Sequence, residues 1–241
     1  MAIMVAQPSL KVGSLALLGK YSTTAVPNYA VRNYSVVESM NVSSAKFQIS
    51  APDLASCPVS ELREFAFIGR SNVGKSSLLN MLTNVKALAK VSATPGHTKL
   101  INFFSVNNEW TLVDLPGYGY AETNQQGRDR FAQMILGYLA GRENLAGVFV
   151  LIDSRHPPQA IDLEFVEWLV GESVPFALVF SKADKVKPAL LQKHTELFLG
   201  HISAWCAELP KVFSTSLEAR MGRREILAFI KEALAGEGSF A

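Results

Sequence analysis

Two kinds of apolar run alternate along most of the chain. Continuous runs at 65–68, which with Glu64 makes a first strand, 148–152 and 176–180 are too short for helices and read as strands buried on both faces. Between them the apolar residues recur at helical spacing. This predicts helices over 76–85 (Leu78, Leu79, Leu82), 125–138 (Phe131, Met134, Ile135, Tyr138) and 161–170, where Phe165, Trp168 and Leu169 point inward. Two more follow, a long one over 188–209 and an amphipathic one over 225–234. Runs at 100–106 and 110–113 flank Asn107-Asn108, a hairpin signal. Weak alternation over 46–50 reads as an edge strand, and Val212-Phe213 as a last short one. The order predicts an α/β fold of three layers: a mostly parallel sheet with one antiparallel hairpin strand and helices on both faces.

The chain has 241 residues, enough for one such domain and an extension. No apolar run reaches the roughly 20 residues that span a bilayer. Net charge is +2, and three basic residues against one acid in residues 1–45 account for all of it. The rest is balanced, so bulk charge gives no argument for nucleic-acid binding. Cys57 and Cys206 lie far apart without paired spacing and read as reduced thiols in a cytosol-like compartment.

We divide the chain into an extension, 1–45, and a domain, 46–241. The extension is rich in Ser and poor in acids, like an organellar transit peptide, but is not enriched in Arg as such peptides are. A tail, or an upstream segment preceding a natural start at Met40, are the alternatives.

The candidate chemistry begins where the run 65–68 ends. Gly69, Arg70, Ser71, Asn72, Val73, Gly74, Lys75 and Ser76 spell G-x-x-x-x-G-K-S, between a predicted strand and a predicted helix. The glycines let backbone N–H groups approach phosphate oxygens, and the helix that follows points its positive end there. Lys75 supplies a charge for the β- and γ-phosphates; Ser76 offers a hydroxyl to Mg²⁺. Asp114, Leu115, Pro116 and Gly117 form D-x-x-G: the carboxylate can reach Mg²⁺, and the Gly117 N–H can report the γ-phosphate. Thr94 and Thr98 lie in a long polar loop, 87–99, and either can place a hydroxyl on Mg²⁺. Ser181, Lys182, Ala183 and Asp184 fit the guanine reader N/T-K-x-D. Its aspartate accepts from guanine N1–H and the exocyclic amine, neither of which adenine offers. Ser214, Thr215 and Ser216 would close the base pocket with backbone N–H groups. Together these motifs favour GTP/GDP over adenine nucleotides.

The stretches GRSNVGKSSLLN, TPGHTKLINFF, LVDLPGYGYA, LIDSRHPPQAIDLEFVEWL and FSKADK resemble the EngB (YsxC/YihA-type) family of ribosome-biogenesis GTPases. The resemblance runs from about Lys46 almost to the C-terminus. It implies a P-loop GTPase fold and a switch segment of Gly96, His97, Thr98, Lys99 and Leu100, with Thr98 rather than Thr94 on Mg²⁺ beside Ser76. It also implies a Mg²⁺-dependent GTPase that acts as a monomer on a large ribosomal subunit precursor, through rRNA and ribosomal proteins. A role in normal cell division and septation follows from the same likeness, as does a cytoplasmic location, or a chloroplast or mitochondrial one should 1–45 be a transit segment. In this reading Lys75, Thr98 and Gly117 carry the catalysis.

Two departures stand out. Ser181 replaces the usual Thr and keeps its hydroxyl, so guanine selectivity is expected to survive. Ser214-Thr215-Ser216 replaces F-S-S, which leaves the register of that loop open by one residue. Tyr118 stands where Ras-type enzymes have a water-orienting Gln, so slow intrinsic hydrolysis is expected. Asn72 resembles the asparagine with which some related GTPases ligate K⁺, which could supply positive charge beside the phosphates. Arg155-His156-Pro157-Pro158 reads as a contact surface or a rigid turn. Arg128 and Arg130, and Arg220, Arg223 and Arg224, read as phosphate contacts or as solvated faces. A second reading of the whole is a GTP/GDP-responsive scaffold in which hydrolysis is incidental.

Overall fold

The computed structural model describes residues 39–85, 88–89, 100–119, 125–238 and 240, without side chains for 125–131. Seven strands form one sheet: β1 (Ala45–Ala51), β2 (Glu64–Gly69), β3 (Ile101–Val106), β4 (Trp110–Asp114), β5 (Leu145–Asp153), β6 (Phe176–Ser181) and β7 (Val212–Ser214). Their order is β1-β3-β4-β2-β5-β6-β7. Only β3 runs against its neighbours, β1 and β4; every other pairing is parallel. Every residue of β2, β4 and β6 is buried, as their continuous apolar runs imply.

Among the described residues five α-helices cover the sheet: α1 (Lys75–Thr83), α2 (Gln125–Gly141), α3 (Ala160–Gly171), α4 (Pro188–Ile202) and α5 (Arg223–Ala235). Helices α2, α3 and α4 pack Tyr138, Val166 and Phe198 into one core beneath Ile68, Val150 and Phe180. Helices α1 and α5 pack Leu79 and Phe229 into the other, around Phe67, Phe149 and Leu151. The fold is therefore the three-layer α/β arrangement with one antiparallel strand that the pattern predicts. Asn107 and Asn108 both take positive φ, the backbone of a two-residue hairpin whose twist matches its strands. The Asn107 side chain then holds the chain before β1, accepting from Ser43 and Ser44 N–H and donating to the Asn41 carbonyl. Met40 already packs on the domain, where its sulfur accepts from the Trp110 indole.

The predicted helix 188–209 is corrected to Pro188–Ile202. Ser203 continues into a turn in which the N–H groups of Trp205 and Cys206 both close on the Ile202 carbonyl. The chain must reverse there, because β7 has to return parallel to β6 beside Leu178. Phe165 and Trp168, expected inward, are half-buried and lie against the core rather than within it.

Strand β2 is the pivot. Later strands add first on one side of it (β4, β3) and then on the other (β5, β6, β7). Ligands in open α/β sheets bind at such a reversal, outside the carboxyl ends of the strands.

Candidate functional site

At the carboxyl end of β2 the chain wraps tightly. Gly74 adopts φ +104° and opens α1 without a side-chain cap, which leaves the first N–H groups of the helix pointing into the loop. Asn72 also takes positive φ. A β-carbon on Gly69 would lie 2.7 Å from the Leu151 carbonyl oxygen, so the loop can leave the sheet here only from a glycine. Lys75 is buried, and its ammonium pairs with the Asp114 carboxylate at the end of β4. These two groups, thirty-nine residues apart, thus meet beneath the loop.

The Ser181–Asp184 segment is bolted to the same loop. Ser181, at the end of β6, donates its hydroxyl to the Val73 carbonyl at 2.7 Å. The Lys182 ammonium reaches the Asn72 carbonyl at 2.6 Å and the Asp153 carboxylate at 2.8 Å. Its stem passes over Gly74. The Ala183 N–H donates to the Thr215 carbonyl at 3.0 Å, which sets the loop after β7 beside Asp184. The Thr215 N–H is committed to the Phe180 carbonyl at 2.8 Å, whereas the Ser216 N–H makes only a 3.3 Å bond to the Met221 carbonyl. Hydrogen bonding from the Ser216 hydroxyl lowers the Asp184 carboxyl below its ordinary value, with Lys185 adding to the effect. Asp184 therefore stands as an anion at neutral pH.

Gly117 lies directly on the loop: a β-carbon there would come within 2.9 Å of the Gly69 oxygen and 3.2 Å of the Ser71 nitrogen. The next residue, Tyr118, bridges to Arg70, extending the parallel β2–β4 pairing beyond the strands. Its ring is buried, stacks on Phe165 at 4.7 Å, and donates its hydroxyl to Asp162 at 2.9 Å. Phe165 in turn stacks on Trp168. Burial, then the Asp162 charge, raises the Tyr118 phenol well above its ordinary value, so it stays a neutral donor.

Three residues of this region carry no motif signal. Asp153 holds Lys182 and Arg155 together. Burial alone would raise its carboxyl, but those hydrogen bonds outweigh it and hold the group well below the carboxylate range. Asp162, on the first turn of α3, takes Arg70 Nε at 3.1 Å as well as Tyr118. Burial raises its carboxyl, against the lowering effect of Arg70. Ser154 presents a buried hydroxyl without a partner among the described residues. Asp153 and Asp162 both fall within LIDSRHPPQAIDLEFVEWL, where a lone acid gives no sign of which loop it faces.

Of the expected site residues, Gly69–Ser76, Asp114–Gly117, Ser181–Asp184 and Ser214–Ser216 converge at this edge. Leu100 is exposed at the entry to β3. Thr94, Gly96, His97, Thr98 and Lys99 lie outside the described residues, as do the side chains of Arg128 and Arg130. Arg220 and Arg223 have structural work at the end of α1: Arg220 donates to the Asn84 side chain, Arg223 to the Met81 carbonyl. Arg155 is partnered by Asp153, so the Arg-His-Pro-Pro segment is tied back to the sheet. Among the described residues no group of three or more His, Cys, Asp or Glu side chains gathers as a metal site. No helix among them is long and apolar enough to cross a membrane.

A phosphate-wrapping loop at the switch point of the sheet, crossed by an Asp-x-x-Gly segment and bolted to a Lys-x-Asp loop, defines a P-loop domain of the GTPase class. Comparison with known proteins agrees. The family model described as "50S ribosome-binding GTPase" matches residues 64–182. The probable GTP-binding protein EngB of Bacteroides fragilis (strain YCH46) is 52% identical over 192 residues, 80% of this chain and 96% of that protein. Its counterpart in Christiangramia forsetii is 50% identical over 192 residues, 80% and 97% of the two chains. A crystal structure of a probable GTP-binding protein engB superposes with a TM-score of 0.59 at 21% identity, covering 72% of this chain and 99% of that one, and shows the same fold. The chain belongs to the EngB family of GTP-binding proteins and carries its GTPase domain.

Proposed function

We propose that this protein binds GTP and GDP at the β2 edge and hydrolyses GTP slowly, as a nucleotide-timed switch in assembly of the large ribosomal subunit. The observation that carries the reading is the coupling of Ser181 and Lys182 to the carbonyls of Val73 and Asn72. It makes the base reader and the phosphate loop one unit, so a guanosine with phosphates can engage both at once. Gly69 to Lys75 and the start of α1 hold the phosphates in this reading. Asp184 takes the guanine edge, and the Ser216 N–H, the weaker-bound of its loop, faces the base. The matched family's own description names the large ribosomal subunit as its partner.

Ser76 and Asp114 are hard oxygen donors flanking Lys75 and suit Mg²⁺, an ion that keeps most of its shell on phosphate and water. Together with Thr98 they would hold it, and it would supply charge stabilisation at the phosphates. Lys75 must leave Asp114 to reach a phosphate, a trade of one anion for another. Tyr118 is buried with its hydroxyl on Asp162, so no side chain at that position orients a water, which favours a low intrinsic rate. The same observation favours a second reading: a GTP/GDP-responsive scaffold for cell division in which turnover is incidental.

Co-sedimentation with large ribosomal subunits, loaded with a non-hydrolysable GTP analogue or with GDP, separates the two. Analogue-dependent binding with accelerated turnover supports the timed switch; binding without acceleration supports the scaffold. Equal turnover in Na⁺ and K⁺ would remove the role proposed for K⁺ at Asn72. Lys75→Ala should lower affinity for both nucleotides by at least about 100-fold, the scale of a lost buried charge contact. Titration with labelled GDP checks it.

A further inference from the structure

We propose that Asp162 is a positioning residue for discrimination between GTP and GDP, anchoring the Asp-x-x-Gly segment against the phosphate loop from outside both. The inference rests on the reading of this edge as a guanine-nucleotide site.

Asp162 is fully buried, on the rigid first turn of α3, and belongs to neither loop. Its two carboxylate oxygens are divided between them. One accepts from the Tyr118 hydroxyl, directly after Gly117; the other accepts from Arg70, the second residue of the phosphate loop. The backbones agree with the side chains, since Tyr118 bridges to Arg70 and Gly117 packs on Gly69 and Ser71. Ile161, beside Asp162, adds an apolar stop: its Cδ1 lies where a β-carbon on Gly119 would come within 3.0 Å. The charged and titratable groups facing Asp162 are Arg70, Tyr118 and, farther off, Asp153.

The consequence for ligand choice follows from place. Groups that hold the α- and β-phosphates and the base lie on the phosphate loop and on Ser181–Asp184. In the proposed site the Gly117 N–H is the group expected to meet a third phosphate. Whatever holds Gly117 against the loop therefore favours GTP over GDP, and beside the direct Lys75–Asp114 pair the Asp162 carboxylate is the one side chain from outside both segments, among the described residues, that bonds to the phosphate loop and to the residue after Gly117. The anchor is not saturated. Arg70 meets Asp162 through Nε, and among the described residues its buried Nη2 has no partner, so the contact can exchange when the segment moves.

The test uses the full chain with GDP and a non-hydrolysable GTP analogue. Asp162→Asn keeps the shape and an acceptor for Tyr118 but removes the charge that faces Arg70. Its analogue-to-GDP affinity ratio should fall about tenfold, the scale of one charge-assisted hydrogen bond, with GDP affinity held within about twofold. Tyr118→Phe, which removes only the hydroxyl that Asp162 accepts, should lower the ratio about threefold and serves if Asp162→Asn does not fold. A folded variant that keeps the wild-type ratio overturns the inference. So does a proportional loss of both affinities, which would mark Asp162 as a packing residue only. Wild-type protein that binds neither nucleotide overturns the site itself and this inference with it.

Discussion

The molecule contains two buried clusters of the same composition, a carboxylate, an arginine and a tyrosine, at opposite ends of the sheet. At the amino end of β2, Glu64 is fully buried and accepts from Tyr138 at 2.8 Å and from Arg142 through Nε at 2.9 Å and Nη2 at 2.5 Å. Arg142 Nη2 also donates to the Pro58 carbonyl, and its guanidinium lies 5.8 Å over the Phe103 ring. At the carboxyl end, Asp162 receives a single bond from Arg70 and one from Tyr118. The first cluster is bidentate and joins elements that have no reason to separate. The second is single-contact, keeps an orphan donor among the described residues, and joins the two loops proposed to answer to a ligand. Identical side-chain chemistry thus serves rigidity where it is saturated and adjustment where it is not.

The largest expected effect tests the saturated end. Arg142→Met leaves Glu64 buried and unpaired and should cost about 3–5 kcal/mol in urea unfolding, without changing the nucleotide preference of the folded fraction. A comparable loss of nucleotide preference would erase the distinction drawn between the two clusters. Next, Asp184→Asn should lower GTP-over-ATP preference by about 2 kcal/mol, since its amide turns a donor toward the donors of guanine. Competition binding checks it, and stability should barely move. The smallest effect is a pH signature. The Asp153 carboxyl is depressed in the folded chain, so its contribution is present above the ordinary carboxyl value of 3.8 and fades as pH falls through and below it. The Asp162 carboxyl is raised, so its contribution is fullest below that value and declines as pH rises through its folded value. Asp153→Asn should therefore be less stable than wild type at pH 7 and converge on it in acid, whereas the gap for Asp162→Asn should not close on acidification. Unfolding midpoints measured from pH 7 down to about pH 2 decide it, the Asp153→Asn gap narrowing only below the ordinary carboxyl value.

Much of this could be read from the residues in order. Strands β2, β5 and β6 are continuous apolar runs because both faces are covered, and Asn107-Asn108 announces its hairpin because few residues tolerate two positive φ values in succession. The phosphate loop, Asp114 and the Ser181 segment were legible because each is a short motif whose members are neighbours in sequence. What spacing does not encode is pairing across the chain. Glu64 looks like the polar start of a strand, yet it meets Arg142 seventy-eight residues away. Asp162 looks like a solvent-facing acid in a helix first turn, yet Arg70 lies ninety-two residues off. The end of α4 was missed for a similar reason: the return of β7 to the sheet, not local propensity, stops the helix.

The stack that begins at Tyr118 has an optical consequence. Phe165 lies between the Tyr118 ring and the Trp168 indole, with interplanar angles of 29° and 24° along the run. Trp168 is half-buried, on the helix that also carries Asp162. Displacement of the Asp-x-x-Gly segment would change the packing beneath a natural fluorophore, so the protein carries its own emission probe for that loop.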